Sequence, residues 1–158
     1  MNNWRLFFLR GNGGGGGGGG GVVTDKQQAV VNQSAITPSP GGGLCLQWVG
    51  DVFEAALGIV VRRPTAFSDW QNTTTYNNYD IPAGAVVYGT GQNSGGAGHI
   101  GIFIGDGLVR DNQGSYGGAG QIVTSSLEQW LSWQTDTIDG YTGYLGWGWY
   151  GNVNLSIV

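Results

Sequence analysis

This 158-residue chain has one cysteine, Cys45, and one histidine, His99. A single cysteine excludes an internal disulfide and any CxxC metal or redox motif. One thiol and one imidazole alone cannot furnish a structural zinc site. Charge is also scarce: six Lys plus Arg stand against ten Asp plus Glu, a formal net charge of -4. That balance does not support a basic patch for nucleic acid. The only adjacent basic pair, Arg62 and Arg63, reads as a solvated loop. Long apolar runs are missing as well, and nothing approaches the ~18 residues of a membrane span. The opening MNNWRLFFLRG has an apolar core of only four residues, LFFL, between arginines. That is too short for a secretory signal and lacks a small-residue cleavage site, so no signal peptide is expected.

Glycine is abundant. There are 33, and outside the unbroken run Gly13 to Gly21 the remaining 24 are still about twice the usual ~7% share. Spread between strand-like runs, they predict many tight turns and close backbone approaches. Seven Trp, seven Tyr and five Phe supply a core despite the glycine. The length suits one domain and is too short for two ordinary ones. Residues 1–21 are set apart as an arginine-flanked aromatic peptide on a polyglycine thread. They form either a flexible tether or a docking peptide for a partner. Residues 22–158 form the domain.

TDKQQAVVNQSA, from Thr24, reads as a short helix with Thr24 as N-cap and Gln27 completing a capping box. GGGLCLQWVGDVFEAALG (41–58) then places Leu44, Trp48, Val52 and Ala55 or Ala56 at helical spacing, with Gly58 as the stop. This segment is the expected central helix. SDWQNTTTYNNYD reads as a polar loop, and IPAGAVVYGT as a turn and an apolar strand. GHIGIFIGDGLVRDN (98–112) reads as a hairpin turning at GDG, its first strand ending at Ile104. GGAGQIVTSS gives another strand, TSSLEQWLSW a capped helical turn, and the aromatic end one or two strands. Helices first and a meander of antiparallel strands after them make an α+β domain.

Cys45 stands at the mouth of the central helix, behind three glycines. It is either a small buried hydrophobe or a nucleophile. A helix N-terminus lowers a thiol's pKa, and a neighbouring imidazole lowers it further and carries protons. That imidazole needs a third polar group to hold it. Folding back around Asp106 brings the start of the first hairpin strand opposite Asp111 or Asn112. The order is then a cysteine on a helix, a histidine on a strand, and a carboxylate or amide on the next. Tyr88, Trp147 and Trp149 are candidates to line a groove for sugar or peptide, with core packing as the competing role for each.

The hairpin GHIGIFIGDGLVRDN resembles the histidine hairpin of the NlpC-type and CHAP-type cell-wall hydrolases, papain-like cysteine peptidases and amidases. IPAGAVVYGTG resembles the strand before it, and CLQWVGDVFEAALG the nucleophile helix. The three blocks occur in the family's order over about residues 41–112. The tail SLEQWLSW…GYLGWGWYG is similar to the family's aromatic closing strands. The resemblance implies a papain-like fold, N-terminal helices packed on a small antiparallel sheet. It implies Cys45 as nucleophile, His99 as general base and acid, and Asp111, with Asn112 as rival, as the orienting residue. The backbone N–H of Cys45 would form part of the oxyanion hole, and Trp48 would pack beneath the nucleophile.

The implied substrate is an amide of bacterial peptidoglycan, with no metal or organic cofactor. Without a signal peptide, a bacteriophage is the economical carrier, with the protein serving as an endolysin or as a virion tail hydrolase. Its location would be the virion or the host cytoplasm before lysis, and residues 1–21 could contact other tail proteins. The chain departs from the NlpC pattern at Leu44 and Leu46, where relatives carry Asp and Ser, and it lacks the upstream tyrosine. This favours a CHAP-like or divergent branch. The competing expectations are a non-catalytic structural or binding module with the same fold, and an exported bacterial effector amidase.

Overall fold

The computed structural model describes residues 23–157, so the aromatic peptide and polyglycine run lie outside the described residues. Helix α1 (Asp25–Ser34) begins at the expected capping box. Thr24 Oγ1 accepts the Gln27 N–H, and Gln27 Oε1 accepts the Thr24 N–H. Gln27 also donates through Nε2 to the carbonyl of Ala83, tying this first turn to the loop before the sheet. Helix α2 (Cys45–Leu57) ends at Gly58, whose φ of 68° is the left-handed conformation that glycine adopts without strain. Its buried stripe is Trp48, Val49, Val52 and Phe53, all 0% exposed. That stripe is rotated from the expected one. Val49 and Phe53 bury more apolar surface than the alanines, so the helix turns them inward and leaves Ala55 exposed.

Part of the expected polar loop is helical. Thr65 and Ser68 form a second capping box, which starts α3 (Ala66–Gln71). Phe67 and Asp69 of this helix are buried, and Trp70 donates its indole N–H to the carbonyl of Leu145 at 2.8 Å. Two residues of the same loop form the edge strand β1 (Thr75–Tyr76).

Strands β2 (Val86–Gly89), β3 (His99–Gly105), β4 (Leu108–Gln113) and β5 (Gln121–Ser126) form an antiparallel meander. The small ribbon β6 (Thr137–Ile138) and β7 (Tyr141–Thr142) stands apart, and β8 (Tyr144–Gly148) returns to pair on β2. The six-stranded sheet runs β1-β8-β2-β3-β4-β5. The β3–β4 turn has positive φ at both Asp106 (53°) and Gly107 (71°), the geometry of a two-residue turn that matches strand twist. The first strand extends through Gly105, one residue beyond the expected Ile104. Helix α4 (Leu127–Ser132) is capped by Ser126 Oγ, and its Leu127 and Trp130 are buried. A one-turn 3₁₀ segment (Tyr150–Asn152) follows β8.

The protein is thus a mixed α+β domain with an antiparallel sheet. Its core spans helix and sheet and includes Trp48, Phe53, Tyr88, Ile100, Ile102, Trp130 and Tyr150. Among the described residues no helix is long and apolar enough to cross a membrane.

Candidate active site

Cys45 is the first residue of α2, and the chain that delivers it is held by backbone. Gly42 N–H donates to the carbonyl of Gly118 and Gly43 N–H to that of Gly114, each at 2.8 Å. Gly42 and Gly43 have no room for side chains. A Cβ on Gly42 would lie 2.1 Å from the Ser115 carbonyl oxygen, and one on Gly43 would lie 2.7 Å from the Cα of Tyr116. The glycine triplet is therefore a close-packed strap under the 114–118 loop, not the flexible lead-in that its composition suggests. The helix-start residue Leu44 offers no side-chain acceptor and makes no cap bond to the first turn of α2. The Leu46 N–H donates to the Cys45 sulfur, as does the Ile100 N–H from β3.

His99 opens β3. Its Nε2 lies 2.6 Å from Asp111 Oδ2, which leaves Nδ1 as the nitrogen available to the Cys45 sulfur, to which the ring is hydrogen-bonded. The register explains this meeting. Ile102 pairs with Arg110. Carried along the ladder, that pairing sets Gly101 against Asp111, so His99 and Asp111 are diagonal neighbours on one face. Gly101, between them, has no side chain, and a Cβ there would lie 2.7 Å from Val109 Cγ1 and 3.4 Å from Asp111 Cβ.

Asp111 and Asn112 take different places because successive residues of a strand face opposite ways. Asp111 is fully buried against His99, while Asn112 faces the strap. There it accepts the Ser39 hydroxyl and donates Nδ2–H to the Gly41 carbonyl at 2.8 Å. The structure brings Cys45, His99 and Asp111 together and puts Asn112 behind the cysteine's lead-in.

Three further side chains belong to this cluster and escape a reading of the linear sequence. Trp130 of α4 donates its indole N–H to Asp111 Oδ2 at 3.0 Å, and its ring stacks on His99 with centroids 5.9 Å apart and planes inclined by 27°. Gln113 donates to Asp111 Oδ1 at 3.2 Å. Ser39 is the third, through Asn112. Gln113 was within reach of a period-two argument, being two residues beyond Asp111 on the same strand. Trp130 and Ser39 carry no local signal that relates them to Asp111 or Asn112.

The electrostatics follow from these contacts. Burial works against ionising the Cys45 thiol, but the His99 charge and hydrogen bond, with the two backbone N–H groups, outweigh it and hold the thiol below its ordinary value. Burial likewise works against a charged His99. The Cys45 thiolate and Asp111 outweigh it and push His99 up to about 10. Both shifts favour a thiolate–imidazolium pair at neutral pH, the form in which sulfur is nucleophilic and imidazole can protonate a leaving group.

The expected groove residues lie elsewhere. Tyr88 is a correction: it is 0% exposed and cannot line a groove. Its hydroxyl donates to the buried carboxylate of Asp69 at 2.6 Å, a bond that satisfies both polar groups inside the core. Trp149 is 8% exposed and edge-on to Trp147, so it too is mainly a packing residue. Trp147 is half-buried on β8, packs against the exposed Tyr76 with ring planes tilted by 36°, and donates its indole N–H to Asn78 Oδ1. Strand β2 separates β8 from β3, so two strand spacings, roughly 10 Å, part Trp147 from the His99 strand. Trp48 is fully buried in α2, as expected of a residue packed beneath Cys45, and donates to the Thr37 carbonyl. TSSLEQWLSW is the capped helix α4, as its own pattern predicts, and of the tail likened to closing strands the strand β8 is Tyr144–Gly148. No protein-family model matches the chain, and no curated protein matches it in sequence.

Proposed function

We propose that the domain is a papain-like cysteine hydrolase of the NlpC/CHAP type that cleaves an amide bond of bacterial peptidoglycan. The observation that carries this is the Cys45–His99–Asp111 chain of contacts. A thiol at a helix start without a side-chain cap is hydrogen-bonded to an imidazole whose Nε2 is held 2.6 Å from a buried carboxylate. The Cys45 thiolate attacks the amide carbonyl carbon, and the backbone N–H of Cys45 meets the oxyanion formed as part of the oxyanion hole. The C–N bond breaks as His99 gives its Nδ1 proton to the departing amine, leaving an acyl thioester. His99 then takes a proton from water, the hydroxide adds to the thioester carbonyl, and the C–S bond breaks to give the free acid and Cys45. Asp111 keeps the imidazole in the tautomer and orientation that both steps need.

The bond cut lies in the stem peptide, in the cross-bridge, or between muramic acid and L-alanine. The setting that fits is a phage virion tail component or endolysin, with residues 1–21 contacting other tail proteins. The test compares purified protein with Cys45→Ala on isolated peptidoglycan. Release of free amines by the first protein alone is expected, and mass spectrometry of the fragments identifies the bond. Equal release by both, or none from either, would sink the catalytic reading in favour of a binding module with the same fold.

A further inference from the structure

Asn112 is buried, and its side-chain hydrogen bonds go to Ser39 and Gly41, on the strap that precedes the cysteine. We infer that Asn112 is a positioning residue for Cys45, seating the Ser39–Gly43 strap so that the start of α2 meets His99. The inference concerns geometry and holds whichever bond the site cuts.

Five contacts carry it. Asn112 accepts the Ser39 hydroxyl, donates to the Gly41 carbonyl at 2.8 Å, and Ser39 Oγ in turn accepts the Gly41 N–H at 3.1 Å. The next two residues of the strap donate to the carbonyls of Gly118 and Gly114, just beyond β4. Both ends of the amide are thus spent on the strap. The knot is tight: a Cβ on Gly120 would lie 1.9 Å from Ser39 Oγ, 2.7 Å from Asn112 Oδ1 and 2.7 Å from the Gly41 carbonyl carbon. One residue, Leu44, separates Gly43 from Cys45, so little slack lies between the knot and the thiol.

The titratable group facing the thiol is His99, with Asp111 behind it. Asn112 carries no charge. If its removal changes how Cys45 titrates, the change comes through the position of the strap. A purely structural role would lower stability and leave that titration alone.

The experiment measures iodoacetamide alkylation of the single cysteine against pH in the full chain. Wild type, Asn112→Ala, Ser39→Ala, the double variant and Thr24→Ala are compared, with thermal unfolding of each. Thr24→Ala removes a helix cap far along the chain from the site and is the control for lost stability alone. In Asn112→Ala the alkylation midpoint should rise by about one pH unit, slowing the reaction at pH 6 about tenfold. Ser39→Ala should move it the same way, and the double variant no further than the worse single, as expected of one network. An unchanged midpoint in Asn112→Ala, with unfolding lowered as in Thr24→Ala, overturns the inference. Should Asn112→Ala fail to fold, Ser39→Ala decides by the same criterion. A wild-type thiol that titrates like a free cysteine overturns the thiolate–imidazolium reading, and this inference with it.

Discussion

Replacing Asp111 by Asn tests the site with little disturbance of its shape. The carboxylate is fully buried and receives His99 Nε2 at 2.6 Å and the Trp130 indole N–H at 3.0 Å on Oδ2. Gln113 donates to Oδ1 at 3.2 Å. An asparagine can put its oxygen where Oδ2 stands and keep the first two bonds. Its NH₂ then faces Gln113, whose amide can rotate to present oxygen instead of N–H. The packing survives and the charge is lost. A hydrogen bond to a charged group contributes ~1.5–3 kcal/mol against ~0.5–1.5 for a neutral one, a difference of about 1 kcal/mol or somewhat more. At 1.36 kcal/mol per unit, that is about one unit off the His99 pKa, which lies up at about 10 in the wild type. The sign is fixed by the charges. A weaker hold on the imidazolium shifts the balance between the thiolate–imidazolium and thiol–imidazole pairs toward the neutral pair, so the Cys45 thiolate is harder to form. Alkylation by iodoacetamide reads this directly, because the chain has one cysteine. The midpoint should move up by about one pH unit in Asp111→Asn, and the rate at pH 6 should fall about tenfold. In Asp111→Ala the Trp130 and His99 N–H groups lose their acceptor, so unfolding should also become easier by ~1–3 kcal/mol per stranded donor. An Asp111→Asn protein with native unfolding and an unmoved midpoint would refute the role given to the carboxylate.

Trp130→Phe keeps a ring against His99 and removes the N–H given to Asp111; stability measured in denaturant should fall by ~1.5–3 kcal/mol, and an unchanged value would show that bond to be idle. Gly42→Ala places a methyl 2.1 Å from the Ser115 carbonyl oxygen, so the strap and the 114–118 loop must part; alkylation at pH 6 should slow, and a native rate would contradict the close packing of the strap. Tyr88→Phe takes the hydroxyl from Asp69, whose remaining cation, Arg63, is 3.9 Å away; stability should fall by ~1.5–3 kcal/mol with the alkylation profile unmoved, and a shifted profile would place Tyr88 in the site after all.

The elements legible in the sequence are those whose own residues determine them. Thr24 and Gln27 announce α1, Gly58 ends α2, and Asp106–Gly107 turns the hairpin that carries His99, each through contacts a few residues apart. Helix α3 was hidden because it has six residues, too few for an apolar period, although Thr65 and Ser68 spelled its cap. Tyr88 misled because an aromatic side chain in an apolar strand gives no sign of its hydroxyl's partner, and Asp69 lies 19 residues upstream. The packing of the strap was the least legible of these. A run of three glycines is the composition of a loose tether, and its rigidity comes from the backbone of residues some seventy positions on.

The ambiguity between Asp111 and Asn112 has a physical origin in the pleat of β4. Both are polar, both are buried, and both fall at the right distance from the turn to meet the start of β3. A strand sends neighbours to opposite faces, so only one of the two can reach His99, and a one-residue slip would exchange them. The bulge between Phe103 and Gly105 therefore matters as much as the side chains themselves. It sets the register that turns the carboxylate to the imidazole and the amide to the strap. The amide is suited to the strap because it can accept from Ser39 and donate to Gly41 at once, which a carboxylate cannot do. The carboxylate is suited to the other face because three donors and no acceptor converge there. Each residue type answers the hydrogen-bonding demand of its own side, and together they bring the thiol and the imidazole to one place.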